Sequence, residues 1–394
     1  MAVIHWIHLS DVHYNKTGTQ AKLMRQKLPS YIKALSDEDK IHYLFFTGDI
    51  RYAPYGEFPV DCVDFFDRIR DSAKVEKDNM FVVIGNHDVD REDTNRHDAI
   101  NELVHSYYEN DSVITKALCS RLKSGRDKYY NILQKIISDK SFIFHKDSCM
   151  LHFPVETEYV NILHLDSTLT YEEHRESEFI IGTFSLIEAL ESCNPKKPTV
   201  ILSHYSLDSF APAEQKAILR ILKQYHAQLW LSGHKHTDII HKDRDFFYVA
   251  HSGNMTFERQ TSPGFVEGFL DTSTGTGKLR VHKWNESSDW ALYQTLVDST
   301  DLKEASCKDR TTYPFILDDW CKANSICIPA FSSCTETVKT FIRTYRGKTI
   351  LLSTLQEQLG IQREDLLTSL SDLSDQGYVW LIDAEKSQWK ILKE

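Results

Sequence analysis

Five short segments of this chain end in side chains of the kind that hold metals: Asp11-Val12-His13, Gly48-Asp49, Gly85-Asn86-His87-Asp88, Ser203-His204 and Gly233-His234-Lys235-His236. Carboxylates and imidazoles with one amide and no thiolate suit borderline first-row divalent ions, whereas an all-oxygen set would suit magnesium or calcium. In hydrolytic sites built on two such ions the metals lie about 3.5–4 Å apart, which requires a ligand offering one oxygen to each. Asp49 is assigned to that bridge.

The elements that must position these donors are legible as apolar runs. Most of the five segments directly follow one: residues 3–9, 43–46, 80–84, 200–202 and 229–231 each read as a buried strand. Open α/β folds bind ligands at the C-terminal ends of their strands, so separate stretches of chain can converge on one spot.

The ordered series D-x-H, G-D, G-N-H-D, H and G-H-x-H resembles the calcineurin-like metallophosphoesterase superfamily, over roughly residues 1–290. The similarity leans toward the double-strand-break-repair nucleases and cyclic-nucleotide phosphodiesterases of that superfamily. By position, the resemblance implies that Asp11, His13, Asp49 and His236 hold one metal, and that Asp49, Asn86, His204 and His234 hold the other. Two divalent ions are thus the implied cofactors, manganese first, with iron, zinc or cobalt as alternatives. The implied reaction is phosphate ester hydrolysis by a metal-activated hydroxide. His87 is the implied second-sphere acid toward the departing alkoxide. Asp88 is placed to orient the His87 ring, and Arg51, two residues past the bridging Asp49, to contact a phosphoryl oxygen.

Other histidines are read as structural. His5 and His8 lie inside the first strand and are expected to be packed or hydrogen-bonded there; His164 belongs to another strand. His251 and Asn254 follow the last donor segment closely enough to lie near the site without ligating.

With 394 residues the chain can bury a substantial core and form more than one domain. No apolar run approaches the ~20 residues that span a bilayer. The chain opens almost at once with a strand, leaving no room for a signal peptide, so a cytoplasmic location with no membrane contact is expected. Eight dispersed cysteines do not form a disulfide framework, and the four between Cys307 and Cys334 lack the C-x-x-C pairs of a structural zinc site. A net charge of −11 argues against non-specific, high-affinity DNA binding, yet leaves room for a nuclease whose metals add positive charge locally.

The resemblance implies a four-layer αββα sandwich, here over 1–297, with a helical insertion at about 95–145 acting as a lid or a packed layer. The alternating stretch 246–284 is expected to supply the second sheet, and 298–330 to be a linker region. Residues 331–394 read as three helices and a hairpin, a winged-helix-like α+β domain. Its candidate recognition helix, 363–372, is acidic, which favours contact with a protein partner or a second copy over DNA. The expected substrate is a phosphoester, nucleic acid or nucleotide first. The alternatives are a phosphomonoesterase or protein phosphatase, or a non-catalytic scaffold; degenerate scaffolds lose ligands, and every expected donor is present here.

Overall fold

A computed structural model describes residues 3–391 except 17, 54–56, 60, 108–113, 148–149, 172–177, 237–238, 244–245, 257–262, 286, 294–311, 327–337, 340, 343–347, 360–362, 376–377 and 384–387. One sheet contains β1 (Val3–Leu9), β2 (Tyr43–Thr47) and β3 (Met80–Val83) in parallel. The antiparallel strands β10 (Gly264–Asp271), β11 (Thr276–Trp284) and β12 (Trp290–Leu292) extend it on the far side of β1. The other sheet runs in the order β4 (His152–Glu156), β5 (Asn161–Leu165), β6 (Thr199–Ser203), β7 (Leu229–Ser232), β9 (Phe247–His251), β8 (Ile239–Asp243). Its central strands β5, β6, β7 and β9 are mutually parallel.

The period-2 pattern of each strand explains how the sheets pack. In β1, Ile4 and Trp6 join Phe45 and Phe81 in the layer facing Ile162, Val200, Leu202, Leu229 and Leu231 of the other sheet. Ile7 and Leu9 point the opposite way, onto α1 (Thr19–Glu38), α2 (Cys62–Ala73) and α5 (Asp127–Ile136). The second sheet's outer face, through Leu163, Ile201 and Trp230, is covered by α7 (Thr183–Glu191) and α8 (Pro212–Gln224). Helix, sheet, sheet and helix form four layers, and both sheets present the C-terminal ends of their parallel strands to one side.

Two expectations about organisation are corrected. The stretch 246–284 does not form one sheet. β9 closes against β7, while β10 and β11 pair with β1 in the other sheet, because β9 and β10 are separated by the turn that passes Asp11. Residues 312–326 are not linker: β13 (Tyr313–Ile316) pairs with β11, and α9 (Asp318–Ala323) buries Trp320 and Cys321 between the sheets. Residues 298–311 lie outside the described part.

The helical stretch after the G-N-H-D segment is four helices: α3 (Thr94–Ser106), α4 (Lys116–Leu122), α5 and α6 (Asp139–Lys146). Three of them start at side-chain caps, Asp93 accepting from Arg96 N, Thr115 from Leu118 N and Ser138 from Ser141 N, which punctuate the run. These helices are a packed layer. Arg96 donates to the carbonyls of Thr168, Leu169 and Tyr171, and Arg126 is ion-paired with Asp166 beyond β5.

Towards the C-terminus, β14 (Thr349–Leu351), α10 (Leu352–Leu359), α11 (Arg363–Asp375), β15 (Val379–Asp383) and β16 (Gln388–Ile391) surround their own apolar core; the three strands pair in the order β14-β16-β15. The helix expected over 336–345 lies largely outside the described residues, although Val338 and Ile342 are buried in this core. Trp380 reaches back to meet Tyr313 edge-on, with ring centroids 5.1 Å apart. Among the described residues no helix is long and apolar enough to cross a membrane.

Candidate metal centre

The five donor segments converge. Past the ends of β1 and β2 the two chains stay side by side, Asp11 N donating to Gly48 O and His13 N to Asp49 O. Gly233 N donates to His204 O, and Met255 N to Asp11 O, closing the ring of loops. The turns are tight enough that five of the seven expected ligands adopt left-handed backbone: Asp11 (φ 51°), His13 (42°), Asp49 (55°), His234 (66°) and His236 (53°). Such conformations cost roughly 1–3 kcal/mol each in non-glycine residues and persist where the surroundings over-determine them. Two glycines are required for lack of room. A Cβ on Gly85 would stand 2.1 Å from Asp49 Oδ1, and one on Gly233 would stand 1.8 Å from Ser10 Oγ and 2.5 Å from Asp11 Oδ2.

Among the described residues three groups form with ligand atoms within 4.8 Å of one another: Asp11, His13 and His236; His13, Asp49 and His87; and Asp11, Asp49 and His204. His236 Nε2 lies 3.1 Å from Asp11 Oδ1, and His204 Nε2 lies 2.8 Å from the Asn86 amide oxygen. Six of the seven expected ligands therefore sit directly in the cluster. His234 is anchored by its backbone amide on Asp11 Oδ2 at 2.9 Å, while its ring packs on Tyr205 (4.2 Å between centroids) and beside His204 (5.3 Å).

Main-chain carbonyls orient two imidazoles of the cluster. His204 Nδ1 lies 2.7 Å from Thr47 O and His13 Nδ1 lies 3.1 Å from Arg51 O. A carbonyl only accepts, so each Nδ1 carries the proton and each Nε2 lone pair faces the cluster. Burial holds these rings neutral: His204 is lowered, His13 falls to about 4 and His234 to about 3, despite the raising effect of Asp11.

The carboxylates split. Burial, reinforced by Asp11 and Asp88, pushes Asp49 well above the usual range. Burial opposes ionisation of Asp11 too, but the hydrogen bond from His236 and the surrounding imidazoles hold it well below that range. Two carboxyls that cannot both ionise without a counter-charge are what a shared cation relieves.

The residues assigned to catalysis are distributed differently from expectation. Asp88 does not orient the His87 ring. Its carboxylate accepts from Gly85 N (3.0 Å) and Arg51 N (3.2 Å), stitching two loops together, and burial raises it to about 6. Arg51 is buried, donating to His87 O (2.9 Å) and Val89 O (3.3 Å) with its guanidinium over Phe58; its fork is engaged by the main chain of the G-N-H-D turn, which needs donors for its carbonyls. His87 is at the cluster, and burial lowers it to about 2.

The remaining histidines behave as read. His5 Nε2 meets Glu267 at 2.9 Å, His8 Nε2 meets Thr47 Oγ1 at 2.9 Å, and His164 is stacked on Phe153. The neighbours of His87, Tyr52, Ala53 and Arg91, and Lys16 over the Tyr52 ring, have no motif spacing that marks them in the sequence.

Two sheets face to face, with a buried carboxylate–histidine cluster at the loop end, define a metallophosphoesterase type of α/β fold. The sequence profile of the calcineurin-like phosphoesterases matches residues 4–238, and the chain belongs to this family. An uncharacterised metallophosphoesterase-like protein of Bacillus subtilis, YydB, is 22% identical over 296 residues, covering 72% of this chain; the chain spans 60% of that relative's length. Among solved structures, a dimetal phosphatase from Danio rerio is similar over 73% of this chain and 98% of its own, at 13% identity and a TM-score of 0.40. GAP50, the anchor in the inner membrane complex of Plasmodium, is similar over 76% of this chain and 91% of its own, at 12% identity and a TM-score of 0.41.

Proposed function

We propose that this chain hydrolyses phosphate esters with a pair of divalent cations, manganese first among them, and that nucleic acid or a nucleotide supplies the ester. The observation that carries the reading is the position of Asp49. Its Oδ2 is buried without a hydrogen-bond partner among the described residues, while His204 Nε2 and His13 Nε2 stand 3.6 and 3.8 Å from it. Those separations are too long for hydrogen bonds and match ligands about 2.0–2.2 Å from a common ion. Asp11, His13, Asp49 and His236 fit one cation; Asp49, Asn86, His204 and His234 fit the other. When bound, the ions supply Lewis acidity that offsets charge on the phosphoryl oxygens and acidifies water.

The chain's own residues orient that chemistry. Thr47 O and Arg51 O fix the ligand tautomers, Asp88 and Arg51 hold the loop that carries Asn86, and His87 faces the substrate side. Phosphomonoesters and phosphoproteins are the second substrate class. For residues 331–394 the reading is a winged-helix-like module that docks on a protein partner or a second copy; the arrangement of β14, α10, α11, β15 and β16 supports it. A cytoplasmic location is part of the same reading.

Elemental analysis of the purified protein should find about two equivalents of Mn, Fe, Co or Zn, matching the two ligand sets. The manganese-loaded protein should hydrolyse an aryl phosphate ester, and a panel of single- and double-stranded DNA, RNA, cyclic nucleotides, mononucleotides and phosphopeptides should rank nucleic acid or nucleotides first. Absence of metal together with no turnover of any ester would sink the reading.

A further inference from the structure

His87 has the reverse hydrogen-bond polarity of the ligating histidines beside it. At His13 and His204, Nδ1 faces a carbonyl, which only accepts. At His87, Nδ1 lies 3.1 Å from the main-chain N–H of Ala53, which only donates, and a guanidinium nitrogen of Arg91 stands 3.4 Å from the same atom. The Nδ1 of His87 is therefore the acceptor, and the neutral ring carries its proton on Nε2. That nitrogen lies 3.9 Å from Asp49 Oδ2, at the centre of the cluster. With its proton there it has no lone pair for a cation.

The ring is also held in place. Tyr52 stacks on it at 4.8 Å and 27°, Lys16 Nζ sits 4.6 Å from the Tyr52 ring centroid, and His13 meets both rings edge-on at 5.0 and 5.3 Å. A cation over an aromatic face and an aromatic on an imidazole are each favourable contacts that fix ring orientation. Neither Tyr52 nor Lys16 belongs to a ligand set.

We propose that Tyr52, backed by Lys16, and the Ala53 amide are a positioning device that locks His87 as a neutral Nε2–H donor aimed at a non-bridging phosphoryl oxygen of the substrate. The inference rests on the phosphoesterase reading and deepens it. No bond to hydrogen breaks at His87: a water oxygen bonds to phosphorus as the ester P–O bond breaks, that water gives up a proton to solvent, the departing oxygen takes one from solvent, and the Nε2–H hydrogen bond strengthens as charge grows on the phosphoryl oxygen. An acid that delivers a proton would have to become an imidazolate from this tautomer.

The test is a series of aryl phosphate esters of graded leaving-group acidity, hydrolysed by manganese-loaded variants with metal content measured alongside. His87→Ala should lose on the order of 100-fold in kcat, equally across the series. His87→Gln should retain more, because its amide N–H can still donate. Tyr52→Leu should lose between about 10- and 100-fold in kcat with KM and bound metal unchanged, and Tyr52→Phe, which keeps the ring, should recover most of that loss. A loss at His87→Ala that grows with leaving-group pKa would show proton delivery and overturn the donor role. A Tyr52→Leu variant that loses metal in proportion to rate, or loses nothing, would remove Tyr52 from positioning. If the parent protein turns over none of the esters, the phosphoesterase reading fails. The tautomer is then tested separately, by ¹⁵N-histidine NMR of the zinc-loaded protein with His87→Gln assigning the ring. A protonated Nδ1 there would overturn the inference.

Discussion

Replacing Asp49 by Asn should make the metal-free protein more stable while abolishing its response to metal. The ligand atoms of Asp11, Asp49 and His204 lie within 4.8 Å of one another in a site closed to solvent. Two like charges at that separation repel by about 3.5 kcal/mol at an effective dielectric near 20, and protonation of Asp49 in the folded state trims that figure. Asn removes the charge yet keeps an oxygen to accept the His87 amide, which Asp49 Oδ1 holds at 2.8 Å. With an unfolding entropy of about 2.1 cal/mol/K per residue, the gain corresponds to a rise of about 4 °C in Tm. The assay is differential scanning calorimetry at pH 8, in EDTA and with manganese. In EDTA the variant should melt above the parent. With manganese at a hundredfold excess over Kd the parent should gain about 2.7 kcal/mol per site and the variant little. A variant that melts below the parent in EDTA, or gains as much as the parent from manganese, would refute the argument that buried carboxylate repulsion is what the cations relieve.

Three further outcomes follow from other parts of the fold. His164 is buried, and burial lowers it to about 3, so its neutral form stabilises the fold fully above the unfolded value of 6.5 and that contribution is lost as pH falls from 6.5 toward 3. His164→Phe keeps the stack on Phe153, so urea denaturation should show a pH dependence shallower by up to about 1.4 kcal/mol per pH unit in that window, and an unchanged slope would count against it. Gly85→Ala forces a methyl group onto Asp49, and should cost about 1–3 kcal/mol and lower the metal content found by elemental analysis; full metal content would contradict the crowding. Asp166→Asn leaves buried Arg126 unpaired, and should destabilise by about 3–5 kcal/mol in urea titration, whereas a change under 1 kcal/mol would show the pair to be dispensable.

How much of the site was legible depends on what carries each part. Donor types need particular residues at particular places in the chain, so Asp11, His13, Asp49, Asn86, His204 and His236 could be read off their segments, and they do converge. Arg51 and Asp88 were visible too, but their roles were misassigned because a side chain's direction is not encoded in its spacing. Arg51 turned toward carbonyls of a tight turn, and Asp88 toward two loop amides. The helical stretch after Asp88 shows its helical period in the sequence, and the side-chain caps at Thr115 and Ser138 divide it.

The chain's linear order showed the candidate donors and the buried strands, because these follow from residue chemistry and apolar patterning, while the layered class was legible through the family resemblance of the donor segments. Which sheet β9 and β10 joined, whether residues 312–326 packed or dangled, and which nitrogen of His87 carries the proton were decided only in three dimensions. Each turns on a partner distant in sequence, and short-range pattern contains no term for the direction in which a distant backbone donor points.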